Sequence, residues 1–322
     1  MRIMLNKLII TFIGLILIIS CKEENINSIV LTTVKVTEIT QTTARCSVNI
    51  LSDGGTPIIA SGVCWSTNQS PTVADNKTNE KVGKGIFTCS LIGLIANTTY
   101  YIRSYATNKN STAYGNQITF STLATNQISD IDGNVYNTIT IGTQVWMKEN
   151  LKVTHYRTGE EIPLVTDNAI WWNLKTGAYC NYGNDASHVI IYGRLYNHYA
   201  VTDNRNICPV GWHVPTDNDW TTLESHLGGS TLAGGKMKGI NYWSSPNTGA
   251  DNSSGFTAFP GGFRDGNGFG VFSAFSYSSY YWSSTINNSS SAWFRSMFYK
   301  DSILKSANNS KALGFSVRCI KD

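Results

Sequence analysis

Short apolar runs broken at close intervals by turn signals constrain this chain more than any other feature. Ala44, Cys46, Val48 and Ile50 alternate with Arg45, Ser47 and Asn49, which puts four apolar side chains on one face of an extended segment. Ser52-Asp53-Gly54-Gly55 then supplies residues that tolerate left-handed turns. Similar runs follow at Ile58 to Trp65, Ile86 to Leu91, Thr99 to Ala106 and Ala113 to Phe120. Strands at this spacing predict a β-sandwich over residues 29–123. Only 14% of the residues are charged, a composition that suits an extracellular, mainly β protein better than a cytosolic enzyme.

The N-terminus carries an address. Arg2 and Lys7 precede a predominantly apolar run of 12 residues, Leu8 to Ile19, followed by Ser20-Cys21-Lys22-Glu23-Glu24. A spanning helix takes about 20 apolar residues, so the run suits the core of a leader. Residues 1–20 resemble a bacterial lipoprotein signal peptide, with Ile18 where such boxes usually carry Leu. The resemblance implies cleavage before Cys21 and acylation of its thiol and amine, hence a stable lipid anchor in the outer membrane. Lys22, Glu23 and Glu24 resemble the short charged tag that directs some Bacteroidetes lipoproteins to the cell surface, and residues 21–28 read as a tether.

Beyond the leader, 23 basic residues stand against 21 acidic ones. So small an excess gives no electrostatic case for nucleic acid. Six cysteines follow Cys21: Cys46, Cys64 and Cys89 in the first half, Cys180, Cys208 and Cys319 in the second. None of the spacings makes a CxxC redox or zinc site. Each half holds an odd number, so pairing within halves leaves one thiol in each. A Cys46 to Cys89 bridge and three core thiols fit the first half equally well.

Within the first half, Leu94-Ile95-Ala96-Asn97-Thr98-Thr99-Tyr100 resembles the fibronectin type III pattern, with Ala96 in the usual place of Pro. The resemblance implies that Tyr100 forms a corner, its hydroxyl bonded back to the backbone. Tyr100 to Asn108 and Ala113 to Asn116 are similar to the fibronectin-like modules of bacterial surface proteins, which serve mostly as spacers.

Composition shifts after a short polar link at residues 123–129: eight of nine tryptophans lie beyond it. Val135 to Ile141 and Gln144 to Met147 alternate around Gly142-Thr143 and predict paired strands. Gly193 to Val201 reads as a short helix. Thr216 begins a better one: it caps the first turn, Asp217 and Asp219 favour the positive end of the dipole, Trp220, Leu223 and Leu227 share a face, and Gly228-Gly229 stops the helix.

Three blocks in this half, Asp130 to Tyr136, Ile141 to Leu151 and Cys208 to Thr216, strongly resemble the Fibrobacter succinogenes major paralogous domain, as do Tyr281 to Thr285 and Gly314 to Cys319 near the end. The likeness spans residues 128–322 and implies secreted or lipid-anchored proteins without an established activity. His213 to Trp220 and Gly314 to Arg318 are more distantly similar to formylglycine-generating sulfatase-modifying enzymes, which implies a C-type-lectin-like α+β fold. In that fold a bridge ties the helical region to the last strand, which implies a Cys208 to Cys319 disulfide and leaves Cys180 odd. The expected chain is thus mainly β with a small α+β part: a fibronectin type III-like sandwich, then a C-type-lectin-like domain.

Chemistry is less legible. Sulfatase-modifying chemistry needs neighbouring thiolates, and Cys319 has no cysteine beside it. Asp217 and Asp219 read as capping residues, and Asp265-Gly266-Asn267-Gly268 and Asp130 to Asn134 as turns, because the remaining calcium-loop ligands are missing. No cofactor or metal is expected. Trp171-Trp172, Tyr242-Trp243 and Tyr280-Tyr281-Trp282 are the candidate binding aromatics, since amphipathic rings suit wet recognition surfaces. The expected function is non-catalytic binding or adhesion to an extracellular glycan or protein; the competing class is a secreted enzyme on a sulfatase-modifying-enzyme-like fold.

Overall fold

The computed structural model describes residues 28–80, 83–266 and 268–322. The leader, Cys21 and the Lys22, Glu23, Glu24 tag lie outside the described residues. No described helix is long and apolar enough to cross a membrane.

Seven strands form the first module: β1 (Ile29–Thr37), β2 (Ala44–Asp53), β3 (Ala60–Ser66), β4 (Asn76–Lys77), β5 (Gly85–Leu91), β6 (Thr99–Thr107) and β7 (Thr112–Ser121). They make two antiparallel sheets, β1-β2-β5 and β4-β3-β6-β7, in a fibronectin type III-like sandwich. The alternation in β2 turns Ala44, Cys46, Val48 and Ile50 inward, where they meet Val63, Ile102 and Phe120 from the facing sheet. Cys46 and Cys89 are register partners, yet they and Cys64 are free buried thiols, so the three-thiol alternative is the one realised. The Tyr100 hydroxyl accepts the Ile95 N–H at 3.0 Å, and its ring stacks on Phe120 at 5.8 Å. The expected corner is present.

The second module is built on a five-stranded sheet, in the order β13-β19-β10-β9-β8, from β8 (Gln127–Ser129), β9 (Val135–Ile141), β10 (Gln144–Met147), β13 (Trp212–His213) and β19 (Ile320–Lys321). Adjacent residues of β10 serve opposite cores. Trp146 packs with Trp220, Leu223 and Phe256, while Met147 packs with Tyr136, Trp212 and Cys319. Gly142, at φ 62, makes the β9–β10 turn, and a Cβ there would lie 2.9 Å from the His226 ring.

Five helices follow: α1 (Asn168–Asn173), α2 (Val189–Tyr192), α3 (His198–Val201), α4 (Asp217–His226) and α5 (Ser230–Met237). In α4 the Thr216 hydroxyl accepts the Asp219 N–H at 3.2 Å, and the Asp219 carboxylate accepts the Thr216 N–H at 2.8 Å. This capping box starts the helix where the sequence places it. The expected helix from Gly193 to Val201 is corrected. Leu195–Tyr196 form β12, paired with β11 (Tyr179–Cys180), and only the turn after Asn197 is helical. Tyr196 also exchanges backbone bonds with Phe315 at 2.8 and 3.1 Å. Tertiary pairing overrides the local helical pattern here.

Cys208 and Cys319 form the disulfide, joining the loop before β13 to the residue before β19 across a separation of 111. Cys180 is free and buried. The two modules meet closely: the Gln41 side-chain amide donates to the Thr125 and Gln127 carbonyls, both at 3.0 Å, and the Ser129 hydroxyl donates to the Ile39 carbonyl at 3.0 Å.

Candidate functional site

The remaining strands, β14 (Phe263–Arg264), β15 (Phe272–Ser273), β16 (Ser278–Ile286), β17 (Ser291–Phe298) and β18 (Lys305–Ser310), carry the candidate site. β16, β17 and β18 pair antiparallel; on the far side of β16 the segment at Ser316 bridges to Tyr281, and Gly314 bridges in turn to Arg264 of β14. These bridges set β14 and the segment at 314–316 beside the β16-β17-β18 sheet.

Period-two alternation decides what this surface presents. Tyr280 lies opposite Ser296, which lies opposite Lys305; Trp282 lies opposite Phe294, which lies opposite Ala307. These residues, with Phe298 and Asn309, share one face, and a groove of about 330 Å³ opens there. Its floor is aromatic. Tyr280 stacks on Phe315 at 5.0 Å and 17°, and Phe263 meets its edge at 4.9 Å. Phe294 and Phe298 flank it at 6.0 and 6.1 Å. Its rim is polar, with Asp265 just after β14, Lys305 and Asn309, and the buried Ser296 lies deeper in the lining. A mostly apolar hollow with a few converging polar groups is the usual form of a small-ligand site.

The opposite face of the same strands is sealed. Tyr281 and Met297 pack into the core with Trp220, and Arg295 is buried against α4, its guanidinium 2.5 Å from the Asp217 carboxylate.

The aromatic candidates are therefore corrected in part. Tyr281, Trp282 and Trp171 are fully buried and offer no face to a ligand. The Trp282 indole N–H donates to the Tyr196 carbonyl at 2.8 Å and its ring lies 4.4 Å from Phe315. Trp171 is covered by the Arg264 guanidinium at 4.6 Å, and a Cβ on Gly314 would lie 2.8 Å from its ring. Trp243 is half-buried, its N–H bonded to the Ala258 carbonyl at 3.0 Å. Trp172 and Tyr242 are exposed, at 37% and 49%. Tyr242 sits at φ 71, an outlying conformation for a bulky residue, between Tyr192 and Phe259 in a separate row of rings. Phe263, Phe294, Phe298 and Phe315 join Tyr280 in the groove lining; strand parity puts Tyr280 and Tyr281 on opposite faces, and only the packing on each face decides which one meets the groove.

A larger cleft, about 700 Å³, lies between the modules, with Leu91, Ile92, Leu123, Ile131 and Val210 in its walls. Its charged groups are occupied by the protein. Arg157 donates to the Cys208, Pro209 and Trp212 carbonyls at 2.7 to 2.9 Å. Asp130 accepts from Asp132, Asn134 and the Tyr136 hydroxyl. Such a cleft is a seam between packed domains rather than a set of groups aimed at a ligand.

Carboxylates elsewhere are similarly engaged. Burial acts to raise the Asp219 carboxyl, but its bonds to Thr216 and His213 outweigh this and hold it below the ordinary range. Asp132 bonds Thr154 and His155. Among the described residues no group of three His, Cys, Asp or Glu side chains could hold a metal ion.

The chain belongs to the Fibrobacter succinogenes major domain family, whose model matches residues 139–321, more than half of its length. A comparison with curated proteins finds no match. Among solved structures, the sensor domain of the anti-sigma factor RsgI4 of Pseudobacteroides cellulosolvens is similar at 18% identity, covering 30% of this chain and 95% of its own, with a TM-score of 0.23. The fibronectin type III domain of human KIAA0970 protein is similar at 15% identity, covering 30% of this chain and 74% of its own, also with a TM-score of 0.23.

Proposed function

We propose that this is a lipid-anchored outer-membrane protein displayed at the cell surface, whose C-type-lectin-like second module binds an extracellular glycan or protein without catalysis. The groove over β16, β17 and β18 carries the binding reading, because an aromatic floor with a polar rim suits recognition of a solvated, amphipathic ligand. The leader and Cys21 support the anchor. The first module serves as a spacer, bonded to residues 125–129 at the start of the second.

Two observations stand against an enzyme of the sulfatase-modifying type. Cys319 is committed to a disulfide. Cys180 is fully buried, and that burial pushes its thiol up to about 12 against the pull of Arg264, so it holds no thiolate at neutral pH.

The mature protein, residues 21–322, should be screened against immobilised glycans, immobilised extracellular proteins and chromogenic hydrolase substrates. Binding without turnover is expected. Turnover of any substrate, lost on substitution of a groove residue, would replace this reading with the enzymatic one.

A further inference from the structure

We infer that the groove is a carbohydrate subsite, in which a sugar ring lies on Tyr280 and its hydroxyls meet Asp265, Lys305 and Asn309. The inference rests on the binding reading above and names the ligand class.

The geometry around Tyr280 is that of a platform. Phe315 covers one face of the ring, nearly parallel at 17°, while Phe263, Phe294 and Phe298 surround its margin. Tyr280 is nonetheless not sealed: it is half-buried and lines the groove, and the proposal seats the sugar on the ring face that Phe315 does not cover. Four rings hold it in place, and little conformational entropy is lost when a ligand settles on it.

What surrounds the platform separates a sugar from other ligands. A lipid or aliphatic side chain would need apolar walls, but here Ser296 and Lys305 continue the same cross-strand row as Tyr280. Asn309 lies two residues from Ala307 on the edge strand, and Asp265 comes from the other side of the groove. The rim therefore combines a carboxylate, an ammonium and a carboxamide whose oxygen also accepts the Ser310 N–H, groups that together donate and accept in several directions. A pyranose has the matching character: C–H groups on one face, and hydroxyls around its edge that both donate and accept. A protein partner of ordinary affinity needs roughly 800 Å² on each side, far more than a hollow of this size supplies alone.

The test uses the mature protein on an array of hexose, N-acetylhexosamine and uronic acid oligosaccharides, beside a panel of enzymatically deglycosylated extracellular proteins. Lys305→Ala changes an exposed residue on an edge strand, so circular dichroism and melting should be unaltered; Asn309→Ala also removes the acceptor of the Ser310 N–H, so its binding is compared with that of Asn309→Asp, which keeps an acceptor there. Each alanine variant should weaken glycan binding about tenfold, the loss of one good hydrogen bond to a charged or polar group. Tyr280→Ala should abolish binding and Tyr280→Phe should retain it. Glycan binding indifferent to all of these variants would overturn the assignment of the groove. Binding of deglycosylated protein alone, sensitive to the same variants, would overturn the sugar and leave the binding function standing. Binding to neither panel would overturn both.

Discussion

Tyr280 and Phe315 stack with ring centroids 5.0 Å apart and planes 17° from parallel. One belongs to a paired strand and the other to the segment that returns to it before the last strand, so the groove floor joins residues remote in sequence. Phe315 is itself fixed by backbone bonds to Tyr196 and by contacts with Trp282 and Phe294 at 4.4 and 4.9 Å.

Phe315→Ala should therefore cost about 3 to 5 kcal/mol, the usual range for emptying a buried phenylalanine site. Phe298→Ala, at the half-exposed rim, should cost clearly less. Guanidinium unfolding followed by tryptophan emission reads the second module, which holds eight of the nine tryptophans. Equal losses for the two variants would contradict the assigned burial.

Opening the Cys208–Cys319 bridge as a double alanine variant should destabilise the same transition. Chain-entropy arguments give about 4 to 5 kcal/mol for a closed loop of this length. Peptide mapping without reduction should find this bridge, with Cys46, Cys64, Cys89 and Cys180 as thiols that alkylate only after denaturation.

Acid should weaken the second module through His198. Burial lowers its pKa to about 4, against a partial opposing effect of its bond to the Ser283 carbonyl. With Nε2 donating to that carbonyl at 2.9 Å, a second proton must go to Nδ1, which has no partner among the described residues. The unfolded chain takes up the proton first, near pH 6.5. Stability present above that pH is lost as the pH falls toward 4, by about 3 kcal/mol. His198→Gln should flatten this part of a stability profile measured from pH 7 to 4; an unchanged slope would remove His198 as its source.

Tyr100→Phe keeps the ring on Phe120 and removes the acceptor of the Ile95 N–H. A loss of about 1 to 3 kcal/mol is expected if that N–H is left unsatisfied. Circular dichroism in urea should show it in the first module, with the tryptophan-reported transition of the second unmoved.

The proposed anchor predicts that labelled palmitate enters the wild-type protein and not Cys21→Ser. Replacing Lys22, Glu23 and Glu24 together with Ala should preserve the label and protect the protein from protease added to intact cells. Unchanged shaving would dismiss the tag.

Sequence alone determined what is local. Thr216 and Asp219 are three residues apart and satisfy each other's backbone, so their helix start can be read without knowing what surrounds it. Ala44 to Ile50 alternate because one face meets a core and the other meets water. Tyr100 bonds a residue five positions away. The Cys208–Cys319 bridge spans 111 residues, and spacing alone does not pair them. Tertiary structure alone decided the groove. Tyr280, Tyr281 and Trp282 are consecutive aromatics on a strand whose two faces are both apolar, so alternation carries no sign of which side meets solvent. That choice is made by what packs on each face: Trp220 lies 5.8 Å from Tyr281 on one side, and Phe315 holds Tyr280 on the other. Leu195 and Tyr196 follow the same logic, drawn out of a helical pattern by pairing with Tyr179 and Phe315, residues that proximity in sequence does not bring near.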